Sequence, residues 1–241
     1  MAIRRTVTIY DGPGGPFEGL AATDDGWTGE RPGILLLPNV LGTKESDFVR
    51  AERLAALGYA VLVADVFGQG KRTTREDAQP GRYMAELNAD RALLKGRLIA
   101  SLDALKAMAA VDAGNLAAIG FCFGGKCALD IVRAGLPVKG VVSFHGVYDA
   151  PPFPNVAPMT AKVLVCHGWN DPIAPPDATI ALTKELTEGK ADWQIHAYGH
   201  TGHAFTDETV HMPEKGLAYS PDADRRSWKA MADFLEEILA M

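Results

Sequence analysis

Residues 118–130 read "AIGFCFGGKCALD" and place a cysteine, Cys122, at a sharp turn between two kinds of segment. The apolar run before it, "NLAAIGF" (115–121), predicts a buried strand, and the residues after it predict a helix. Glycines at 120 and 124 complete a G-x-C-x-G pattern, in which small residues let strand and helix approach closely around a strained nucleophile. The stretch therefore predicts a thiol presented at the end of a strand.

The helix that follows this turn favours reactivity in two ways. Its partial positive end points at the sulfur of Cys122, which stabilises the thiolate. The backbone N–H of Phe123 can donate to a developing oxyanion. The competing interpretation is that Cys122 is a small buried hydrophobic residue, as most free cysteines are, and we interpret Cys127 and Cys166 in that way.

The rest of the chain alternates strand-like and helix-like segments. Predicted strands are "TVTIYDG" (6–12), "FEGLAAT" (17–23), "PGILLLP" (32–38), "YAVLVADV" (59–66), "KGVVSFHG" (139–146), "AKVLVCHG" (161–168) and "DWQIHAYG" (192–199). Predicted helices cover 44–57, 83–110, 124–135, 175–189 and 222–240. This alternation predicts an α/β fold with a mainly parallel central sheet and helices on both faces. We expect one domain over residues 1–241, with an N-terminal strand pair in 1–30.

In an open sheet of this kind, chemistry belongs at the carboxyl ends of the strands. Asp171 lies in the loop after "AKVLVCHG", and two histidines, His200 and His203, follow the last strand. Nucleophile, acid and histidine thus come in the order that the strand–turn–helix nucleophile pattern requires. Both histidines follow a glycine, so composition does not choose between them. We favour His203, because Phe205 could hold its loop by burying the phenyl ring.

A metal site is the rival interpretation of these side chains, since imidazole and carboxylate groups suit zinc or iron. The candidate ligands would be His167, Asp171, His200 and His203. The nucleophile arrangement already accounts for the aspartate and one histidine, so we predict no metal and no cofactor. His145 and His196 lie in or beside strands and are expected to be structural.

Three motifs, "GFCFGG", "HGWNDPIAP" and "GHAF", occur in this order and resemble those of the dienelactone hydrolase family. The resemblance extends from about "GILLLPNVLG" to the terminal helix. It implies an α/β-hydrolase fold with Cys122 as nucleophile, His203 as base and Asp171 as the acid that orients it. It also implies an oxyanion hole formed by the N–H groups of Phe123 and Val40.

The chain departs from the family at the substrate pocket. Where members have a glutamate that helps activate the thiol, this chain has Asn39. Where members acting on dienelactone grip the substrate carboxylate with two arginines, it has Gln69 and Thr206, with Lys71 and Arg72 nearby. Without those arginines, bidentate recognition of a carboxylate is lost. The family is therefore predicted, but its dienelactone substrate is not.

The resulting hypothesis is a cofactor-free hydrolase of small-molecule esters or lactones, of the carboxymethylenebutenolidase type, that forms a thioester intermediate. Two alternatives keep the fold: a redox-active or acyl-carrying thiol protein, and an inert binding protein. Two polar or proline-rich loops, 68–82 and 146–158, are expected to roof the pocket. Candidates for its apolar lining are Tyr83, Met84, Phe153 and Trp169, and the alternative for each is an ordinary core position.

Composition limits the partners and the compartment. The 241 residues carry a formal net charge of −6, which argues against nucleic acid or an anionic membrane surface as partner. The N-terminus lacks the apolar region of a signal peptide, and no apolar run approaches the ~20 residues that span a bilayer. Three cysteines do not make a disulfide framework. We therefore expect a soluble cytoplasmic protein; its oligomeric state is left open.

Overall fold

The structure, a computed structural model, describes residues 2–239, and the chain forms two compact units. The first unit comprises residues 2–118 with residue 239, and the second comprises residues 119–238. Each unit contains strands of a mainly parallel sheet together with helices, as the sequence predicts. Strand β5 (Val111–Phe121) carries the chain from the first unit into the second. One domain over the whole chain stays a prediction.

The first unit has the strand order β1-β2-β4-β3-β5. Its other elements are β1 (Ile3–Tyr10), β2 (Phe17–Asp24), β3 (Arg31–Leu37), α1 (Glu45–Ala55), β4 (Ala60–Val63), α2 (Arg82–Ala89) and α3 (Arg91–Lys106). The predicted N-terminal pair, β1 and β2, is antiparallel, whereas β3 and β4 are parallel. Every residue of β3 and β4 is buried, which explains the unbroken apolar sequence of β4 and of β3 after Arg31.

The second unit has the strand order β5-β6-β7-β8. Its elements after β5 are α4 (Phe123–Arg133), β6 (Gly140–Phe144), β7 (Lys162–Gly168), α5 (Pro176–Glu188), β8 (Trp193–Tyr198), β9 (His211–Met212), β10 (Leu217–Ala218) and α6 (Pro221–Ile238). β6–β7 and β7–β8 are parallel pairs, so their carboxyl ends lie at one edge of the sheet. β9 and β10 form a separate two-stranded hairpin.

The prediction of one helix over 83–110 is wrong. The chain breaks at Asp90, whose backbone angles are not helical (φ −125°, ψ 83°) and whose side chain accepts a hydrogen bond from the N–H of Leu93. Asp90 therefore ends α2 and caps α3, a role that aspartate takes because its carboxylate satisfies an unpaired N–H of the first helical turn. Residues 107–110 are also not helical, and β5 begins at Val111.

The predicted loops lie between regular elements. Residues 64–81 connect β4 to α2 and contain the predicted loop 68–82 except for Arg82, which is the first residue of α2. Residues 146–158 fall between β6 and β7 without a helix or strand. Within residues 2–239, no helix combines the length and the apolar character needed to cross a membrane.

Candidate active site

The strand-to-helix turn holds Cys122 in a backbone conformation that few residues adopt. β5 ends at Phe121, α4 begins at Phe123, and the cysteine between them has φ 54° and ψ −114°. Its N–H donates to the carbonyl of Phe144 (3.0 Å), which fixes the turn against the end of β6. A β-carbon at Gly120 would overlap the backbone carbonyl of Gly124, so only glycine fits at position 120. Such strained positions persist where the surrounding structure determines them, and they cluster at functional sites.

Asp171 and His203 form a buried pair in the same unit. Asp171 follows β7, and its Oδ1 accepts hydrogen bonds from the N–H groups of Ile173 (2.8 Å) and Ala174 (3.3 Å). Its Oδ2 lies 2.7 Å from Nδ1 of His203, which donates to it. Both side chains are almost completely buried. The loop therefore fixes one carboxylate oxygen and leaves the other to orient the imidazole.

His203 also interacts with the thiol of Cys122. Burial lowers the pKa of His203, but hydrogen bonds to Asp171 and Cys122, together with their charges, more than offset this and raise the pKa to about 10. The interaction is reciprocal, so the protonated imidazole favours the thiolate. The structure thus brings together the three side chains that the sequence predicts as nucleophile, base and acid.

His200, the competing histidine, is not the one that pairs with Asp171. It is exposed, and its backbone has φ 58°. The ring of Phe205 is fully buried, as expected of the residue that holds this loop. Two backbone hydrogen bonds that the sequence did not predict also hold His203. The N–H of His203 donates to the carbonyl of Gly216 (2.8 Å), and the carbonyl of His203 accepts from the N–H of Ala218 (3.2 Å). These contacts come from the β9–β10 hairpin, whose two-residue strands have no readable hydrophobic period.

The two predicted oxyanion donors lie on separate elements. Phe123 is the first residue of α4, and its side chain is fully buried. Val40 lies in the loop after β3, where the N–H of the next residue, Leu41, donates to Oδ1 of Asn39 (3.0 Å). Asn39 is itself buried, and its amide oxygen is occupied by its own loop.

The polar pocket candidates of the first unit already have partners there. Nε2 of Gln69 donates to Glu18 (3.1 Å). The guanidinium of Arg72 lies 3.7 Å from Asp65 and 3.8 Å from Glu18, and the ammonium of Lys71 lies 5.7 Å from the ring centre of Tyr83. The cationic candidates of the first unit are therefore held by carboxylates or by an aromatic ring.

In the second unit, Thr206 pairs with a histidine that the sequence analysis expected to be structural. Its Oγ1 lies 2.8 Å from Nε2 of His145, and both residues are buried. The ring of His145 also contacts the ring of His203, with 5.1 Å between their centres. The signal that could have found this contact is the place of His145 directly after β6.

Further residues of this unit take structural positions. His167 is buried, with Nδ1 bonded to the hydroxyl of Tyr148 (3.0 Å) and Nε2 to that of Thr179 (3.1 Å). Within the described residues, no group of three or more histidine, cysteine, aspartate or glutamate side chains is placed to hold a metal ion. Cys127 and Cys166 are fully buried, and burial raises the pKa of the Cys166 thiol to about 12.

The predicted lining residues lie in several environments. Trp169 is an exposed large apolar side chain, and Tyr83, Met84 and Phe153 are half-buried. In the loop 146–158, Val147–Ala150 line a cavity of about 340 Å³ together with side chains of α5. Their contact with a substrate stays a prediction.

Comparison with known proteins gives consistent matches over most of the chain. The profile of the dienelactone hydrolase family matches residues 17–239. A solved structure, a dienelactone hydrolase-like promiscuous phosphotriesterase from metagenomic libraries, is 36% identical, covers 100% of both chains and superimposes with a TM-score of 0.92.

Two curated relatives add to this match. An uncharacterized protein of Caenorhabditis elegans is 35% identical over 153 residues, which are 61% of this chain and 95% of the relative. A carboxymethylenebutenolidase of Rhodococcus opacus is 26% identical over 235 residues, which are 94% of this chain and 88% of the relative.

Proposed function

Because the chain belongs to the dienelactone hydrolase family, we propose that it hydrolyses neutral esters or lactones through a Cys122–His203–Asp171 triad, without a cofactor. It is a hydrolase of the dienelactone hydrolase type with the α/β-hydrolase fold, and these two predictions from the sequence are confirmed. The triad, the thioester intermediate and the neutral substrate are the proposal. The observation that carries it is the imidazole of His203, which bonds both the carboxylate of Asp171 and the thiol at the strained turn.

The first half of the reaction uses the thiolate–imidazolium pair. The Cys122 thiolate attacks the acyl carbon, and the carbonyl electron pair moves to the oxygen. The N–H groups of Phe123 and Val40 hold this oxyanion. When the tetrahedral intermediate collapses, the bond to the alkoxide breaks, and the imidazolium of His203 protonates the leaving oxygen. A thioester on Cys122 and a neutral imidazole remain.

The second half restores the enzyme. Neutral His203 takes a proton from water while the water oxygen attacks the thioester carbon. Collapse of this second intermediate releases the carboxylic acid and returns the sulfur as thiolate beside the imidazolium. Asp171 accepts the Nδ1–H bond throughout, which keeps the other ring nitrogen directed at the reacting atoms.

The contacts of the pocket candidates support a substrate without a carboxylate. The positions where the family resemblance expects arginines are occupied by Gln69, which bonds Glu18, and Thr206, which bonds His145. Arg72 is shared between two carboxylates. Asn39 cannot act as the activating carboxylate, and its oxygen is occupied by the N–H of Leu41. In this proposal, His203 and the N-terminal end of α4 together hold the thiol in its reactive form.

A second candidate activity is the hydrolysis of neutral phosphotriesters. The observation that favours it is the 36% identity, over the whole of both chains, to a structure described as a promiscuous phosphotriesterase. The same thiolate could attack phosphorus, with the N–H donors holding the phosphoryl oxygen.

A cytoplasmic location, and the absence of nucleic-acid and membrane partners, stay predictions from composition.

The test is a panel of p-nitrophenyl acetate and butyrate, a neutral lactone, a carboxylate-bearing dienelactone and a neutral phosphotriester. Cys122→Ala is the test variant, and Cys127→Ala removes a different thiol as the matched control. We expect turnover of the neutral carboxylic esters or the lactone, lowered at least ~10³-fold in Cys122→Ala and little changed in Cys127→Ala. Equal turnover in Cys122→Ala would exclude the triad, and turnover of the dienelactone alone would exclude the neutral substrate.

Inactivity on the whole panel would favour the two alternatives. Loss of the Cys122 thiol on addition of peroxide would then indicate a redox protein. An inert protein would show neither turnover nor peroxide-dependent thiol loss.

A further inference from the structure

His145 lies at the end of the strand that also supports the nucleophile. β6 ends at Phe144, whose carbonyl accepts a hydrogen bond from the N–H of Cys122. The N–H of the next residue, His145, donates to the backbone carbonyl of Cys166 (2.8 Å). The backbone of His145 has φ 36°, a left-handed conformation that is uncommon for a residue with a side chain. Such a conformation persists only where surrounding contacts determine it.

The ring of His145 is enclosed by three aromatic rings and one hydroxyl. Its centre lies 5.1 Å from that of His203 and 5.0 Å from that of Phe205, with interplanar angles of 68° and 82°, and 6.2 Å from that of Phe121. Its Nε2 lies 2.8 Å from Oγ1 of Thr206. Only 2% of the residue is exposed. The ring therefore has little freedom to rotate, and it meets His203 edge to face.

The imidazole of His203 must satisfy two partners at once. Nδ1 donates to Asp171, and the ring also bonds Cys122. The hydrogen bond to Asp171 alone leaves the ring free to swing about that contact, which would separate it from the sulfur. A rigid flat group against its side restricts this motion, and His145 is such a group.

We propose that His145, held by Thr206, is a positioning residue that keeps the imidazole of His203 in the orientation that bonds Cys122 and Asp171 together. The inference deepens the proposed function and rests on it. The required property is the flat ring in a fixed place, so a ring of another kind should serve as well. Thr206 thus has a role, in holding this ring, that differs from the carboxylate recognition which the family resemblance assigns to an arginine at its position.

Two variants separate the ring from its hydrogen bond. His145→Ala removes the ring, whereas the double variant His145→Phe/Thr206→Val keeps a ring and removes both members of the hydrogen bond. Losing both partners together avoids leaving one buried polar group unpaired. His196→Ala, which removes a histidine from the strand β8, is the matched control.

The first readout is the rate at which iodoacetamide alkylates Cys122 at pH 7, assigned by mass spectrometry; it needs no hydrolase activity. The second is kcat and KM on p-nitrophenyl acetate. Aromatic contacts of this kind correspond to rate effects of up to about 10-fold. We expect His145→Ala to slow alkylation and kcat by about 10-fold with KM little changed, and the double variant and the control to stay within about 1.5-fold of wild type.

Wild-type alkylation in His145→Ala would overturn the inference, and so would a double variant as slow as His145→Ala. If His145→Ala does not fold, the variant Thr206→Val tests the inference alone. It keeps the imidazole of His145 but removes the hydrogen-bond partner of Nε2, so alkylation of Cys122 should slow by about 3-fold. An unchanged alkylation rate would contradict the inference. If the wild type hydrolyses no ester but the alkylation rates differ as expected, the proposed function fails and the positioning role stands.

Discussion

At the scale of single residues, the candidate site depends on the coupling between Cys122 and His203. Burial alone would lower the pKa of His203, because an apolar environment disfavours a charged imidazole. The net shift of the His203 pKa is nevertheless upward, to about 10, because Asp171 and Cys122 together outweigh burial. This value lies above the ordinary 6.5, so protonated His203 stabilises the fold fully below pH 6.5. That contribution declines as the pH rises towards 10.

The first prediction concerns this pKa. Replacing Cys122 by alanine removes both a hydrogen bond and a negative charge from the imidazole, so the pKa of His203 should fall from about 10. An NMR titration of the His203 ring protons in wild type and Cys122→Ala measures the change. Cys127→Ala, which removes a buried thiol from α4, is the control and should leave the titration in place. A pKa that stays the same in Cys122→Ala would show that the thiol does not interact with this histidine.

At the scale of elements, the break between α2 and α3 shows how one cap overrides a helical pattern. Residues 83–110 carry apolar residues at helical spacing, yet Asp90 divides them by accepting the N–H of Leu93 at 2.8 Å. Helix interiors offer aspartate no such bond, whereas the first turn of a helix has unpaired N–H groups that it can satisfy. Helix α3 therefore begins directly after Asp90, whose carboxylate caps its first turn.

The second prediction follows from this cap. Asp90→Ala should lower the free energy of unfolding by about 1 kcal/mol, measured by urea denaturation. Asp103→Ala is the control in the same helix: its partner Lys106 is 3.5 Å away and the aspartate is 64% exposed, so its loss should cost less than about 0.5 kcal/mol. Equal effects of the two substitutions would contradict a capping role.

At the scale of the whole molecule, a buried arginine ties distant parts of the second unit together. The guanidinium of Arg133 bonds both carboxylate oxygens of Glu185 on α5, each at 2.8 Å, and Asp130 on α4. It also donates to the carbonyls of Tyr148 and Asp149 in the loop 146–158. The charge is buried but fully engaged, which is the condition under which such an ion is tolerated.

The third prediction is the cost of removing this charge. Arg133→Met should lower the free energy of unfolding by about 3–5 kcal/mol, because Glu185 and two loop carbonyls lose their partner inside the protein. Arg225→Met removes an arginine whose partner, Asp222, lies 3.0 Å away with both side chains 69% exposed, and it should cost less than about 0.5 kcal/mol. Urea denaturation compares the two, and a difference below 1 kcal/mol would argue against the linking role of Arg133.

The sequence alone predicted most of the strands and helices and the turn that carries Cys122. Strands such as β3 and β4 are predicted by short apolar runs. The close approach of strand and helix at the turn is predicted by the glycine at position 120. These features depend on residues that are close in the chain. The order of nucleophile, acid and histidine is likewise visible in the linear sequence, as is the resemblance to the family.

The tertiary structure decided what depends on residues far apart in the chain. Asp171 lies 32 positions before His203, and only folding shows that this histidine, not His200, meets it. The pairing of Thr206 with His145 spans 61 positions, and that of Arg133 with Glu185 spans 52. Composition and periodicity describe each residue's local preference, whereas these contacts follow from how strands and loops pack. Choices between equivalent residues, such as His200 and His203, are therefore made by packing.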